Sequence, residues 1–257
     1  MTSFGFWDWT LILVVSTQAT VLAYLPRPSW KSFVMGLPIP FTLASLALGQ
    51  RVDASHTFGL ALLIVFAHAV RLLHLRLKVR IVPAIALCVL GYCIVGQAAA
   101  GSLPSGNDAF WLGFAVALST AALLWITHPH VEELPFRTTL PVWLKYPIIA
   151  LIVTALILVK QQLRGFMATF PMVSVIALYE TRYSLRTSCR QFSILVIALA
   201  PALAVCRFVE SYLSLGVSLI PTWIVYLAIV LPLQRWAFRT DASPAGAAGG
   251  GSPAPES

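Results

Sequence analysis

Two prolines inside apolar stretches, Pro38 and Pro171, each stand seven residues beyond a basic residue, Lys31 and Arg164. At helical rise that places each about 10 Å in from its anchor. A proline within a helix removes a backbone donor and clashes with the preceding turn, so carbonyls lose their partners. In hydrocarbon those carbonyls must be met by neighbouring helices, side chains or water. Gly36, Thr42, Thr169 and Ser174 lie beside the two prolines and offer backbone and hydroxyl ligands. Interrupted helices at corresponding positions are a sequence pointer to a solute site between membrane helices. Gly36, Pro38, Thr42, Thr169, Pro171 and Ser174 are therefore the candidate substrate-binding residues. The plainer alternative is a pair of kinks that only shapes packing.

Glu180 is the carboxylate set farthest inside an apolar stretch, between Tyr179 and Arg182. A carboxylate at depth is costly and usually functional, which makes it a candidate for proton or cation coupling. Its place near a span end favours the plainer reading, an interfacial anchor that snorkels or pairs with Arg182 or Arg186. His68, Arg71 and His74 recur at three-residue steps along one helix flank. His68 is the deepest, and histidine titrates near neutral pH, so it is the second coupling candidate beside a purely structural role. Arg207 and Glu210 are spaced to meet as an i, i+3 ion pair.

His128-Pro129-His130 followed by Glu132-Glu133 has ligand types that suit zinc. Its proline and loop setting leave the geometry open, and neither a metal nor a cofactor is assigned. No nucleophile elbow, phosphate loop or HExxH motif is present, so no catalytic residue is named. Cys88, Cys93, Cys189 and Cys206 lack ligand spacing and read as small packing residues. Trp7, Trp9, Trp30, Trp111, Trp143, Trp223 and Trp236 fall near span ends, as an aromatic belt would.

The elements that must position these residues are membrane spans. The chain is 59% apolar and only 10% charged, with a mean hydropathy of +0.86, whereas soluble domains are about a quarter charged. Continuous apolar runs, rather than short alternating ones, make the spans helical. The reading is an all-α polytopic membrane protein with about nine spans, near residues 8–25, 30–50, 55–75, 80–99, 109–127, 141–159, 164–183, 190–209 and 214–235. Residues 241–257, rich in Ala, Gly, Ser and Pro, read as a flexible tail. Met1 to Trp9 holds no Lys or Arg, so the first apolar run is not expected to be a cleaved signal peptide.

The net charge of +8 does not point to nucleic acid, because the basic residues sit in short loops rather than on one folded face. With the N-terminus outside, the inner loops carry Arg27, Lys31, Arg76, Lys78, Arg80, Arg137, Arg182, Arg186, Arg190, Arg235 and Arg239. The outer loops carry only Arg51, Lys160, Arg164 and Arg207. Inner loops are the basic ones, so the N-terminus is expected outside and the C-terminus in the cytoplasm. The lipid bilayer is the first partner this implies; a homo-oligomer or a membrane protein partner remains open.

A displacement of 133 residues aligns Phe33 with Phe166, Pro38 with Pro171, Ala44 with Ala177, Ser55 with Ser188, Ile64 with Ile197 and Ala67 with Ala200. Five spans separate the copies, and an odd number turns the second upside down. The expected organisation is an inverted 4+1+4 repeat: residues 1–100, a connector over 101–140, and a second unit over 141–240.

The run Gly165-Phe166-Met167-Ala168-Thr169-Phe170-Pro171, then Leu185-Arg186-Thr187 and Ala200-Pro201, resembles the GlpM family of small bacterial inner-membrane proteins. Members look like four-span proteins with a Phe-Pro element in the second span and a proline in the third. The resemblance covers spans six to nine. In the first half the element is changed to Leu37-Pro38-Ile39-Pro40, and His68 stands where the second half has Pro201. The resemblance implies a bacterial inner-membrane location and transfers no catalytic motif.

The expected activity is that of a small secondary transporter or exporter of a small polar or anionic solute. Two other readings stand beside it. One is a non-transporting membrane partner supporting envelope or polysaccharide assembly. The other is an intramembrane lipid enzyme, which would need a second polar residue converging on His68 or Glu180.

Overall fold

The computed structural model describes residues 5–25, 28–104, 106–127, 141–158 and 163–239. Among these the regular elements are helices. They are α1 (Phe6–Tyr24), α2 (Pro28–Gly36), α3 (Ile39–Leu48), α4 (Ala54–Leu75), α5 (Ile81–Ser102) and α6 (Asn107–Thr127). After them come α7 (Val142–Ile157), α8 (Gly165–Ala168), α9 (Met172–Glu180), α10 (Leu185–Glu210) and α11 (Leu215–Arg239). The His128 to Glu133 segment and the tail over 241–257 lie outside the described residues.

Among the described residues six segments are long and apolar enough to cross a membrane: α1, α4, α5, α6, α10 and Leu215–Ala237 of α11. Three shorter apolar segments, Phe33–Leu48, Val142–Ile157 and Gly165–Glu180, occupy the expected positions of spans two, six and seven. The outward faces carry exposed Leu87, Leu90 and Ile94 on α5, Leu112 and Leu123 on α6, and Ile220 and Ile224 on α11. Such continuous apolar surface is stable only against lipid or another protein. The chain is an integral, multi-pass helical membrane protein.

Local chemistry sets the helix ends. The Asp8 carboxylate accepts from the Gly5 amide at 2.9 Å and closes the start of α1. Gly49 ends α3 with φ of 62°, a left-handed turn that glycine adopts without strain. Asp53 caps α4 by accepting from the Ser55 amide at 3.0 Å. The tenth helix begins at Leu185, earlier than expected, because Thr181 to Ser184 turn tightly, with the Ser184 amide bonded to the Thr181 carbonyl at 2.7 Å.

Within the bundle α1 packs on α7 and α4 on α10, while α5 lies on α4 and α11 on α10. The sixth helix touches both α4 and α10. The short broken segments fill the centre: α8 against α3 and α4, and α2 against α9 and α10.

Candidate functional site

Both apolar segments that carry the prolines are interrupted. In the first, α2 stops at Gly36 and α3 resumes at Ile39. Pro38 cannot bond the Val34 carbonyl and Pro40 cannot bond that of Gly36, four residues earlier in each case. The structure supplies both from other helices. Gln18 of α1 donates its amide to the Val34 carbonyl at 2.7 Å, and the Tyr226 hydroxyl of α11 donates to the Gly36 carbonyl. Thr42 is also engaged: its hydroxyl donates to the Pro38 carbonyl at 2.9 Å and accepts the Trp223 indole N–H at 2.8 Å. Trp223 therefore braces the break, and the belt role expected for it does not describe its contact.

In the second segment α8 stops at Ala168 and α9 resumes at Met172. The Met167 carbonyl, orphaned by Pro171, accepts from the Phe170 amide at 3.1 Å. That shift deprives the Phe166 carbonyl of its helical partner, and it accepts instead from the Tyr92 hydroxyl of α5 at 3.0 Å and from the Thr169 hydroxyl at 3.3 Å. Tyr92 also reaches Thr169 Oγ1 at 3.2 Å. The break seats directly on α4, because a Cβ built on Gly59 would lie 2.0 Å from Thr169 Oγ1.

The two breaks face one another. A cavity of about 50 Å³ lies between them, lined by Pro38, Thr169, Pro171 and Ser174 together with apolar side chains such as Leu37 and Phe170. At roughly 10–15 Å³ of accessible volume per water, it holds a few waters and no larger solute. Four of the six candidate residues thus meet at one point. Thr42 turns to Trp223, and Gly36 faces a different group. Its nearest side-chain atoms would be Gln191 Nε2 at 3.3 Å, Tyr226 Oη at 3.5 Å and Gln234 Nε2 at 3.6 Å from an added Cβ.

Those glutamines were not singled out as binding residues, although an amide inside an apolar span is the kind of signal that marks one. Gln191 is 2% exposed and Gln234 6%. The Nε2 atoms of both are buried without a hydrogen-bond partner among the described residues, as is Oε1 of Gln18. Buried polar atoms are normally paired, so three unmet amide atoms around one helix break are a chemical opening.

Glu180 is completely buried, and its partner is neither Arg182 nor Arg186. Lys145 of α7, itself buried, donates to Glu180 Oε1 at 2.5 Å. Lys145 also lies 5.6 Å from the centre of the Tyr24 ring, and Lys31 interacts electrostatically with Glu180, Lys145 and Arg182. The interfacial anchor expected for Glu180 gives way to an internal ion pair, because α7 brings a lysine to the end of α9. His68 lies half-buried on α4 and does not line the cavity between the breaks.

At the opposite end of the bundle, Arg207 and Glu210 do not pair with each other. Arg207 donates to the Val52 carbonyl at 2.8 Å and Glu210 accepts the Val52 amide at 2.9 Å. The loop backbone offers each a better-aligned partner than the neighbouring side chain. Beside it Asp53 holds His56 Nδ1 at 2.9 Å and the Ser55 hydroxyl. Burial pushes the Asp53 carboxyl up, but the bonds and charge from His56 and Ser55 outweigh this and bring it down to about 2. Among the described residues no group of three or more His, Cys, Asp or Glu is placed to hold a metal.

What the fold and site define is a multi-pass helical membrane protein with two interrupted helices facing across its centre. The chain matches no protein-family model, no curated protein and no solved structure.

Proposed function

We propose that the chain is a non-enzymatic secondary transporter of the bacterial inner membrane. It would comprise nine spans, in two inverted four-span units over 1–100 and 141–240, with 101–140 as connector. The observation that carries the reading is the crossed service of the two breaks. Tyr92, on the last helix of the first unit, meets the break in the second. Tyr226, on the last helix of the second unit, meets the break in the first. Exchanging the units carries the helix of each tyrosine into the place of the other, with the accepting carbonyls at different points of the two breaks, since Phe166 aligns with Phe33 and Gly36 with Thr169.

Packing supports the same exchange. The pairs α1 with α7 and α4 with α10 map onto themselves, α4 with α5 maps onto α10 with α11, and the connector α6 touches α4 and α10 alike. Inverted repeats with interrupted helices at their interface are how many transporters build a site for alternating access. The cavity between the breaks has room for a few waters only, so a solute would enter in another conformation of the bundle.

A small polar or anionic solute is the proposed cargo. Gln191 Nε2, Gln234 Nε2, Arg71 Nη1 and Arg190 Nε are buried donors without an acceptor among the described residues, and acceptor oxygens on a solute would satisfy them. Glu180 and His68 are the proposed coupling groups. Kinship of the second unit with GlpM-like proteins, and a topology with N-terminus outside and C-terminus inside, belong to the same proposal.

Its test is side-specific labelling. In a background with Cys88, Cys93, Cys189 and Cys206 replaced by Ala, Leu37→Cys and Ser174→Cys would each be exposed to an impermeant maleimide added to one face or the other. Labelling of each position from both faces is the expected result. Reactivity confined to one face for both positions would refute alternating access.

A further inference from the structure

A second, larger recess shares no lining residue with the cavity between the breaks. It runs between α5, α7 and α9, has a volume of about 440 Å³, and is lined by Val82, Ile85, Ile149, Ile152, Val175 and Ile176 among others. Val82 is 60% exposed and Ile148 49% exposed, so the rim continues into the apolar outer faces of α5 and α7 that lipid covers. A molecule dissolved in the bilayer reaches it without crossing water. A recess of a few hundred Å³ with apolar walls and a few convergent polar groups is the usual form of a ligand site.

Among the described residues, Lys145 and Glu180 are the only charged ones that line it. They form an ion pair at 2.5 Å, so the wall carries no net charge. An ionic head would find no opposite charge left over here, and an unpaired charge in an apolar site is costly. The pair is nonetheless incomplete in one respect. Lys145 donates to Glu180 Oε1, whereas Oε2 is buried without a hydrogen-bond partner among the described residues. Glu180 is 0% exposed, and buried polar atoms are normally paired. A carboxylate oxygen accepts hydrogen bonds and does not donate them. The missing group is therefore a donor, and neutrality makes it a hydroxyl rather than an ammonium.

We propose that this recess binds a neutral lipid alcohol, with its hydrocarbon chain along α5, α7 and α9 and its hydroxyl donated to Glu180 Oε2. Such a ligand adds no charge and completes the carboxylate. The site needs only the ion pair and the apolar walls, so it stands whether or not the chain moves a solute.

The experiment places the purified full chain in phosphatidylcholine nanodiscs and irradiates it with hexadecanol that carries a diazirine in its chain. Peptide mass spectrometry then reads the residues attached, which are expected on α5, α7 and α9. Unlabelled hexadecanol should displace the probe at about tenfold lower concentration than hexadecyl methyl ether, which has the same chain and no donor. That ratio is the weight of one hydrogen bond to a carboxylate. The joint replacement Lys145→Met with Glu180→Met removes the acceptor without leaving either ion unpaired, and should make alcohol and ether equal. Ala86→Trp fills the recess and should abolish attachment there. Equal competition by alcohol and ether in the wild type would overturn the proposal. So would attachment as strong on the outer faces of α6 and α11, or undiminished attachment in Ala86→Trp. If either variant fails to fold, the wild-type comparison of alcohol and ether decides alone.

Discussion

The Tyr92 hydroxyl donates to the Phe166 carbonyl at 3.0 Å, joining α5 to the last turn before the break at Pro171. Phe166 lost its helical partner because Phe170 bonds one residue short, to Met167. The tyrosine is 2% exposed, so no water can replace it. Tyr226 performs the same service at Gly36. Each break is therefore met by a tyrosine from another helix, Tyr92 of α5 at the second and Tyr226 of α11 at the first.

Tyr226→Phe leaves the buried Gly36 carbonyl unmatched, and Tyr92→Phe leaves the Phe166 carbonyl only the longer bond from Thr169 Oγ1 at 3.3 Å. Hydrogen bonds between membrane helices contribute about 0.6–2 kcal/mol, so each variant should melt a few degrees lower by thermal unfolding in detergent. The two sites share no partner, so the double variant should show the sum of the losses. A double variant no less stable than wild type would contradict the role assigned to both hydroxyls.

Gly59→Ala should force α4 away from the second break, since the new methyl would meet Thr169 Oγ1 at 2.0 Å. Overpacking of this kind costs about 1–3 kcal/mol. Thr169→Ala removes the colliding atom, so adding it to Gly59→Ala should restore most of the melting temperature, even though Thr169→Ala alone loses its bond to Tyr92.

Removing one member of a buried ion pair strands the other. Lys145→Met should cost about 3–5 kcal/mol, whereas replacing Lys145 and Glu180 together by Met should be near neutral. A double-mutant cycle on unfolding temperature and expression level measures the coupling. Additive losses would mean that the pair is solvated and the buried geometry wrong.

Asp53 makes stability pH-dependent at the other end. Its carboxyl sits at about 2 in the folded chain and near 3.9 when unfolded. A depressed carboxyl contributes stability that is complete above the unfolded value and disappears as pH falls towards the folded one. Melting temperature should fall between about pH 4 and pH 2, and the fall should be smaller in Asp53→Asn, which keeps a capping oxygen but cannot titrate.

Composition alone determined that this chain lives in a bilayer: apolar runs of span length with few charges have no other stable setting. Proline and glycine chemistry marked where the helices stop, so the interruptions at Pro38 and Pro171 were legible, and with them the residues around the small cavity. Those are local matters, settled by backbone donors and allowed dihedral angles within a few residues.

What supports the breaks was not local. Gln18, Tyr92 and Tyr226 are polar side chains in apolar spans, and nothing in their neighbours says which carbonyl they reach. Glu180 found Lys145, 35 residues away in sequence, and Arg207 and Glu210 passed over each other for the backbone of Val52. Helices with apolar residues on all sides have little periodic preference for a facing partner, because lipid and protein are nearly equivalent surroundings for Leu and Val. Only the packed bundle decides which buried polar atoms meet, and that choice defines the site.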